Sequence, residues 1–199
     1  GAKVMQSRSV EFAKKFGVVF EVRSSLNDNP GTTVKESSPD MENVVVRGVS
    51  LDKNQAKVTL LNVPDHPGVA ASIFQPLSAA AVNVDMIVQN VSHEDGLPVT
   101  DLSFTVEKTD LTKAQKVLND LQQSIGFAEM TADESICKLS VVGVGMKSHS
   151  GVAARLFEVL STEKVNILMI STSEIKISVV IECSKGEAAL KSTHAAFVG

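Results

Sequence analysis

The chain has 199 residues, 43% of them hydrophobic and 21% charged, and a formal net charge of -4 from 19 Lys and Arg against 23 Asp and Glu. This is the make-up of a globular protein. There is no basic field and no Trp or Tyr to hold nucleic acid, and no apolar run near the roughly 18 residues that span a bilayer. Two cysteines, Cys137 and Cys183, lie far apart and outside any CxxC, which argues against a disulfide framework or zinc site and for the cytosol.

In chain order, Ser9 to Phe16 reads as a helix ended by Gly17, and Val18 to Arg23 as a strand before the Asn27-Asp28-Asn29-Pro30-Gly31 turn. Val44 to Ser50 is a further strand, followed by an Asp52-Lys53-Asn54 turn. Ala56 to Val63, β-branched and apolar, is a buried strand that stops at Pro64-Asp65. A helix follows from Pro67, with Val69, Ile73 and Leu77 on its apolar face. Pro76 inside it removes a backbone hydrogen bond, a defect worth about 3 kcal/mol, and predicts a kink or an early end. Val82 to Val91 and Thr100 to Glu107 form a hairpin around a polar loop, Ser92 to Pro98. A helix over Leu111 to Ser124 then ends at Gly126 before a short strand, Phe127 to Met130.

The order β-α-β-β-α-β then starts again: strand Cys137 to Val144, helix Gly151 to Thr162, strands Val165 to Ser171 and Ile175 to Glu182, helix Glu187 to Phe197. The two units share a segment. His66 to Ile87 and His149 to Ile170 align without a gap, 12 of 22 positions identical, at a constant offset of 83. The second unit runs out of residues before its sixth strand, and Val44 to Ser50 is the strand best placed to supply it. The first unit is then an insertion in the second. The start at Gly1, without a charged-then-apolar leader, reads as a fragment or a processed chain.

In both units a turn opens a helix at a glycine, Gly68 or Gly151. A helix start offers unpaired N–H groups to a carboxylate, while Asp65 beside the first turn, with Asp85, Gln89 and Asn90 on the next strand, could hold an ammonium. Together these describe an amino-acid pocket. Equally, the glycines make tight turns and the aspartates cap or face solvent, and the residues alone leave both readings open. Other chemistry fails on spacing. Gly143, Gly145, Lys147 and Ser148 miss the phosphate-loop pattern because Met146 precedes the lysine, and GxGxxG fails too. His66 and His149 have no second ligand at metal spacing, and the cysteines sit in apolar strands, where a thiol is inert. Asp65 and Asp85 as a general acid and base lack a nucleophile or a metal cluster.

LNVPDHPGVAASIF, VNVDMIVQNVS, GVGMKSHSGVAARLF and VNILMISTSEIKISVVI resemble the paired ACT modules of the aspartate kinase regulatory region. Arg23-Ser24-Ser25 with Asn29-Pro30-Gly31-Thr32 resembles the exit of that family's kinase domain. The resemblance implies an α+β fold of two ferredoxin-like βαββαβ ACT modules, the first inserted into the second. It implies bounds of 1–40 for the tail of the kinase domain and linker, 56–132 for the first module, and 44–55 plus 133–199 for the second. It implies threonine or lysine as effector, held between the first module of one chain and the second of another. The matching positions are Asp65, Gly68, Val69, Ala70, Asp85, Met86, Ile87, Gln89 and Asn90 on one side, and Ala153, Asn166, Ile167, Ser173 and Glu174 on the other. It further implies a homodimer, a kinase-containing subunit as partner, no cofactor, and no phosphotransfer to aspartate by this chain alone. Met41 falls where the internal start of a separate small subunit would lie. The second copy departs from the first at Ser150 for Pro67 and Leu168 for Asp85, so its own turn lacks an acidic partner.

Overall fold

The structure, a computed structural model, describes residues 4–35, 46–94, 97–143 and 151–199. The chain divides into two compact units at Val45/Val46. The first holds helix α1 (Ser7–Lys15) and an antiparallel pair, β1 (Phe20–Val22) with β2 (Thr32–Val34). Gly17, at φ +63°, ends α1 as a left-handed cap, its chain turned by the Val18 N–H to Ala13 carbonyl bond of 2.9 Å. Phe12, Phe16, Val18 and Val19 are exposed.

The second unit contains two four-stranded sheets. The first is ordered β5-β6-β4-β7, from β4 (Ala56–Pro64), β5 (Val84–Glu94), β6 (Leu97–Val106) and β7 (Glu129–Asp133). Helices α2 (Val69–Ala79) and α3 (Lys108–Ile125) are packed with it around Val58, Leu60, Ile73, Leu77, Phe104 and Leu118, all with 0% exposure. Each such side chain contributes about 1.5–3 kcal/mol by leaving water. The second sheet is ordered β3-β8-β10-β9, from β3 (Val46–Asp52), β8 (Ile136–Gly143), β9 (Ile167–Thr172) and β10 (Lys176–Glu182), with helices α4 (Val152–Thr162) and α5 (Gly186–Phe197).

Strand β3 therefore supplies the missing edge. It pairs antiparallel with β8, Val49 opposite Val141 and Leu51 opposite Leu139, as β7 pairs with β4 in the first sheet. The expected strand began at Val44, and that residue with Val45 lies outside the described residues, as do Met41 and His149. The β3–β4 turn is held by the Asp52 carboxylate, which accepts from the Asn54 N–H at 3.0 Å and the Gln55 amide at 2.9 Å. The short link from β7 to β8 is closed in a similar way by Asp133, which accepts from the Ser135 hydroxyl at 2.6 Å and N–H at 2.8 Å. The hydroxyl bond holds the Asp133 carboxyl below its ordinary range.

Two expectations are corrected. Helix α2 runs through Pro76 to Ala79, matching the end of α4 at Thr162 one repeat later, so the early end does not occur. Pro76 falls in the last turn, and the one acceptor it leaves unpaired belongs to Ser72, an exposed residue. The polar loop of the hairpin is also shorter than expected, because Ser92 pairs with Val99, His93 with Pro98 and Glu94 with Leu97.

Both α2 and α4 end in the same cap: Val82 N–H to Leu77 carbonyl and Val165 N–H to Leu160 carbonyl, each 2.9 Å. The residues in the left-handed position are Ala81 at φ +54° and Lys164 at φ +53°, where glycine is the unstrained choice. Ala81→Gly should raise the unfolding free energy by about 1 kcal/mol, measured by urea denaturation.

Candidate functional site

Strand β4 ends at Pro64, and the Asp65 N–H donates to the Pro98 carbonyl at 3.1 Å, which ties the turn to the far end of the β5–β6 hairpin. Gly68 then takes φ +96°, and a Cβ there would meet nothing within 4 Å, so backbone conformation and not space calls for glycine. The Val69 N–H is taken by the His66 carbonyl at 3.2 Å, and the first bond of the helix, Ser72 N–H to Gly68 carbonyl, is 3.0 Å. A helix start leaves its first N–H groups without partners inside the helix, here including those of Ala70 and Ala71. Nothing on α2 occupies that end: it has no side-chain cap and no acidic residue in its first turn. Helix α4 repeats the arrangement, with Gly151 at φ +103°, no side-chain cap and no acidic residue in its first turn.

Strand β5 carries the other candidates along the edge of its sheet. Its register to β6 slips between Val84 and Ile87, so Asp85 and Met86 together oppose Thr105. This is a β-bulge, and the Thr105 hydroxyl accepts the Met86 N–H at 3.1 Å. Strand β9 bulges at the equivalent place, since Ile167 opposes Ile181 and Met169 opposes Val180, leaving Leu168 over. Sequence patterning missed both bulges because period-2 alternation is a coarse signal across one extra residue.

The register separates the candidates into two ends. Val84 is level with Val106 and Ala56, the first residue of β4, whereas Asp65 lies just past the last. At a strand rise of about 3.3 Å per residue, the ends where Asp65 and Asp85 sit are roughly 25 Å apart. They cannot share a proton transfer, which removes the acid/base reading. Asp65, Gly68, Val69 and Ala70 form one group, with Gln89 and Asn90 partway along β5. Asp85, Met86 and Ile87 form the other. In the second module Ala153 on α4 and Ser173 and Glu174 in the β9–β10 turn lie toward the helix-start end, where the Gly143 N–H meets the Ile175 carbonyl at 2.9 Å. Asn166 and Ile167 lie at the opposite end, where β9 begins.

Val69 and Met86 are buried, so each contributes through packing or backbone; Asp65 is half-buried, and Gly68, Ala70, Asp85, Gln89 and Asn90 are exposed. Asn166, Ser173 and Glu174 are exposed, and Ala153 and Ile167 half-buried. Both edges also expose apolar side chains at equivalent positions, Ile87 at 51% and Ile170 at 45%. Met86 packs with Ile136, Met169, Val180 and Val88, joining β5 to the second sheet. The Asp85 carboxylate is ion-paired to Lys138 of β8.

The cysteines stand apart from these groups. Both are free, Cys137 is buried, and burial first, then the neighbouring Cys183 thiol, pushes the Cys137 thiol up to about 12. No helix among the described residues is long and apolar enough to cross a membrane.

The ACT domain family profile matches residues 61–122 and 139–197. An aspartokinase of Pseudomonas aeruginosa is 48% identical over 199 residues, 99% of this chain and 48% of that protein. The regulatory subunit of aspartate kinase from Thermus thermophilus, in its ligand-free form, is 40% identical with a TM-score of 0.72, over 77% of this chain and 99% of that one. A structure of aspartokinase alpha and beta subunits is 46% identical with a TM-score of 0.71, over the same shares. The chain spans about half the length of the curated relatives it matches. Alkylation of the native chain at pH 8 should modify Cys183 and spare Cys137 until denaturant is added, as peptide mass mapping would show.

Proposed function

The chain belongs to the ACT-domain family, as the regulatory region of an aspartate kinase, and on that premise we propose that it senses threonine or lysine for feedback inhibition of lysine, threonine and methionine synthesis. The observation that carries this reading is the repeated helix start: a left-handed glycine, no side-chain cap and no acidic residue in the first turn, in a module whose edge strand exposes apolar side chains. Backbone N–H groups at the start of α2, those of Gly68 and Ala70, hold the effector carboxylate, and Asp65, Gln89 and strand carbonyls hold its ammonium.

The rest of the pocket comes from a second chain. An exposed edge with Ile87 and Val91 facing solvent is a surface for association, and β9 offers the same with Leu168 and Ile170. Antiparallel apposition of β5 with a partner's β9 sets the Asp65 end of one module beside Asn166 and Ile167 of the other. The same apposition sets Asp85, Met86 and Ile87 beside Ala153, Ser173 and Glu174, with Asn90 between the two ends. In this reading the modules span 56–132, and 44–55 with 133–199, while 1–40 is the tail of a kinase domain carried by the partner subunit or by the same polypeptide. The assembly is a cytosolic homodimer that performs no phosphotransfer by itself.

Effector binding acts by favouring one arrangement of the modules. Coupling of about 1–3 kcal/mol changes the populations 5- to 150-fold, enough to silence a kinase. Calorimetry of the 199-residue chain should register binding of threonine or lysine, and Gln89→Ala should weaken it about ten-fold, the worth of one charge-assisted hydrogen bond. No heat from either amino acid, with a tight dimer in the centrifuge, would instead mark a module that only dimerises.

A further inference from the structure

The bulge that re-aims Asp85 delivers its carboxylate to Lys138, on the second sheet of the same chain. The Lys138 side chain is only 13% exposed, while that of Asp85 is 41% exposed. A second carboxylate, Asp52 at the end of β3, lies 3.9 Å from the same ammonium. One cation therefore faces two anions, one from each sheet. Lys138 sits on β8 between Ile136 and Ser140, and Ile136 belongs to the apolar contact with Met86 and Met169. The ion pair and the apolar contact thus close the same seam between the sheets. Two methionines make much of that contact, and their unbranched side chains repack at little cost when the seam shifts.

Asp85 lies at the opposite end of β5 from Asp65, roughly 25 Å away, so it serves an amino acid other than the one whose ammonium Asp65 and Gln89 hold. We propose that Lys138 is a tethered competitor for the ammonium of an amino acid bound at the Asp85 end, holding the carboxylate when no amino acid is bound there and yielding it when one binds. The proposal rests on the reading that this end of β5 is an effector position of its own in the proposed dimer. Asp52 makes the exchange feasible: a nearly buried ammonium left without a carboxylate would be costly, and Lys138 moves to one already beside it. Release loosens the seam between the sheets, so occupancy at the edge is transmitted to the packing of the two modules. The equivalent of Asp85 in the second copy is Leu168, so the competition belongs to one end of one module.

The test is effector binding by calorimetry, with threonine and with lysine separately, on the 199-residue chain and two variants. Lys138→Met removes the competitor and keeps an apolar stem, and should tighten binding by about five-fold, the scale of a partly exposed ion pair. Asp52→Asn keeps an oxygen for the Asn54 N–H of the β3–β4 turn, though not the second oxygen that accepts from the Gln55 amide, and weakens the fallback; it should loosen binding by a similar factor. Opposite signs are the signature, because a merely structural role would move both variants the same way. Unchanged or weaker binding in Lys138→Met, or two shifts of one sign, would overturn the competitor while leaving the sensor standing. Silence of the unaltered chain toward both amino acids would remove the sensor reading itself, and the competitor with it.

Discussion

Strand β8 is covered on both sides of its backbone, and that requirement organises the unit. Ile136, Cys137, Leu139 and Val141 have no exposure, so β8 needs a hydrogen-bonded neighbour on each flank. One neighbour is β10. The other is β3, which comes from before the first module. The chain must therefore leave the second sheet through the Asp52 turn, build the whole first module, and return through the Asp133–Ser135 link. Because each module is entered from the other, they are joined at two crossings, and the Met86–Met169 contact and the Lys138 ion pairs fall in the seam between them.

The same closure determines what is left open. With β3 and β7 pairing on one side of their sheets, β5 and β9 are the opposite edges, each bulged at the same repeat position and each exposing an isoleucine. Duplication thus yields two similar edges that carry different chemistry. Asp85 in one stands where Leu168 stands in the other, so the first can engage a cation and the second cannot. In the proposed dimer these two edges, alike in backbone and different in charge, meet each other, and unlike halves complete one pocket.

Much of this was legible from residues. The strand shortage after Glu187 to Phe197 pointed to an early strand, and β3 fills the place, because a six-element pattern counted twice exposes a missing member. Gly68 and Gly151 were found through the repeat, and their positive φ explains why neither copy substitutes another residue. What escaped was local or long-range geometry. Pro76 is harmless because it falls in the last helical turn, a matter of where α2 starts. The bulges shift pairing by one residue in strands whose alternation looks ordinary. The separation of Asp65 from Asp85 depends on register across three strands, and the partnership of Asp85 with Lys138, 53 positions away, depends on how two sheets meet.

The central claim is that one effector pocket is built from two chains. Its most direct test mixes two damaged chains: Asp65→Ala, which harms the first-module side, and Asn166→Ala, which harms the second-module side. Each alone should bind threonine or lysine feebly. After denaturation and co-refolding of an equal mixture, binding should return in the mixed dimers, where one pocket inherits both intact halves. A mixture that binds no better than its two components would show that the two halves act within one chain, and would contradict the account.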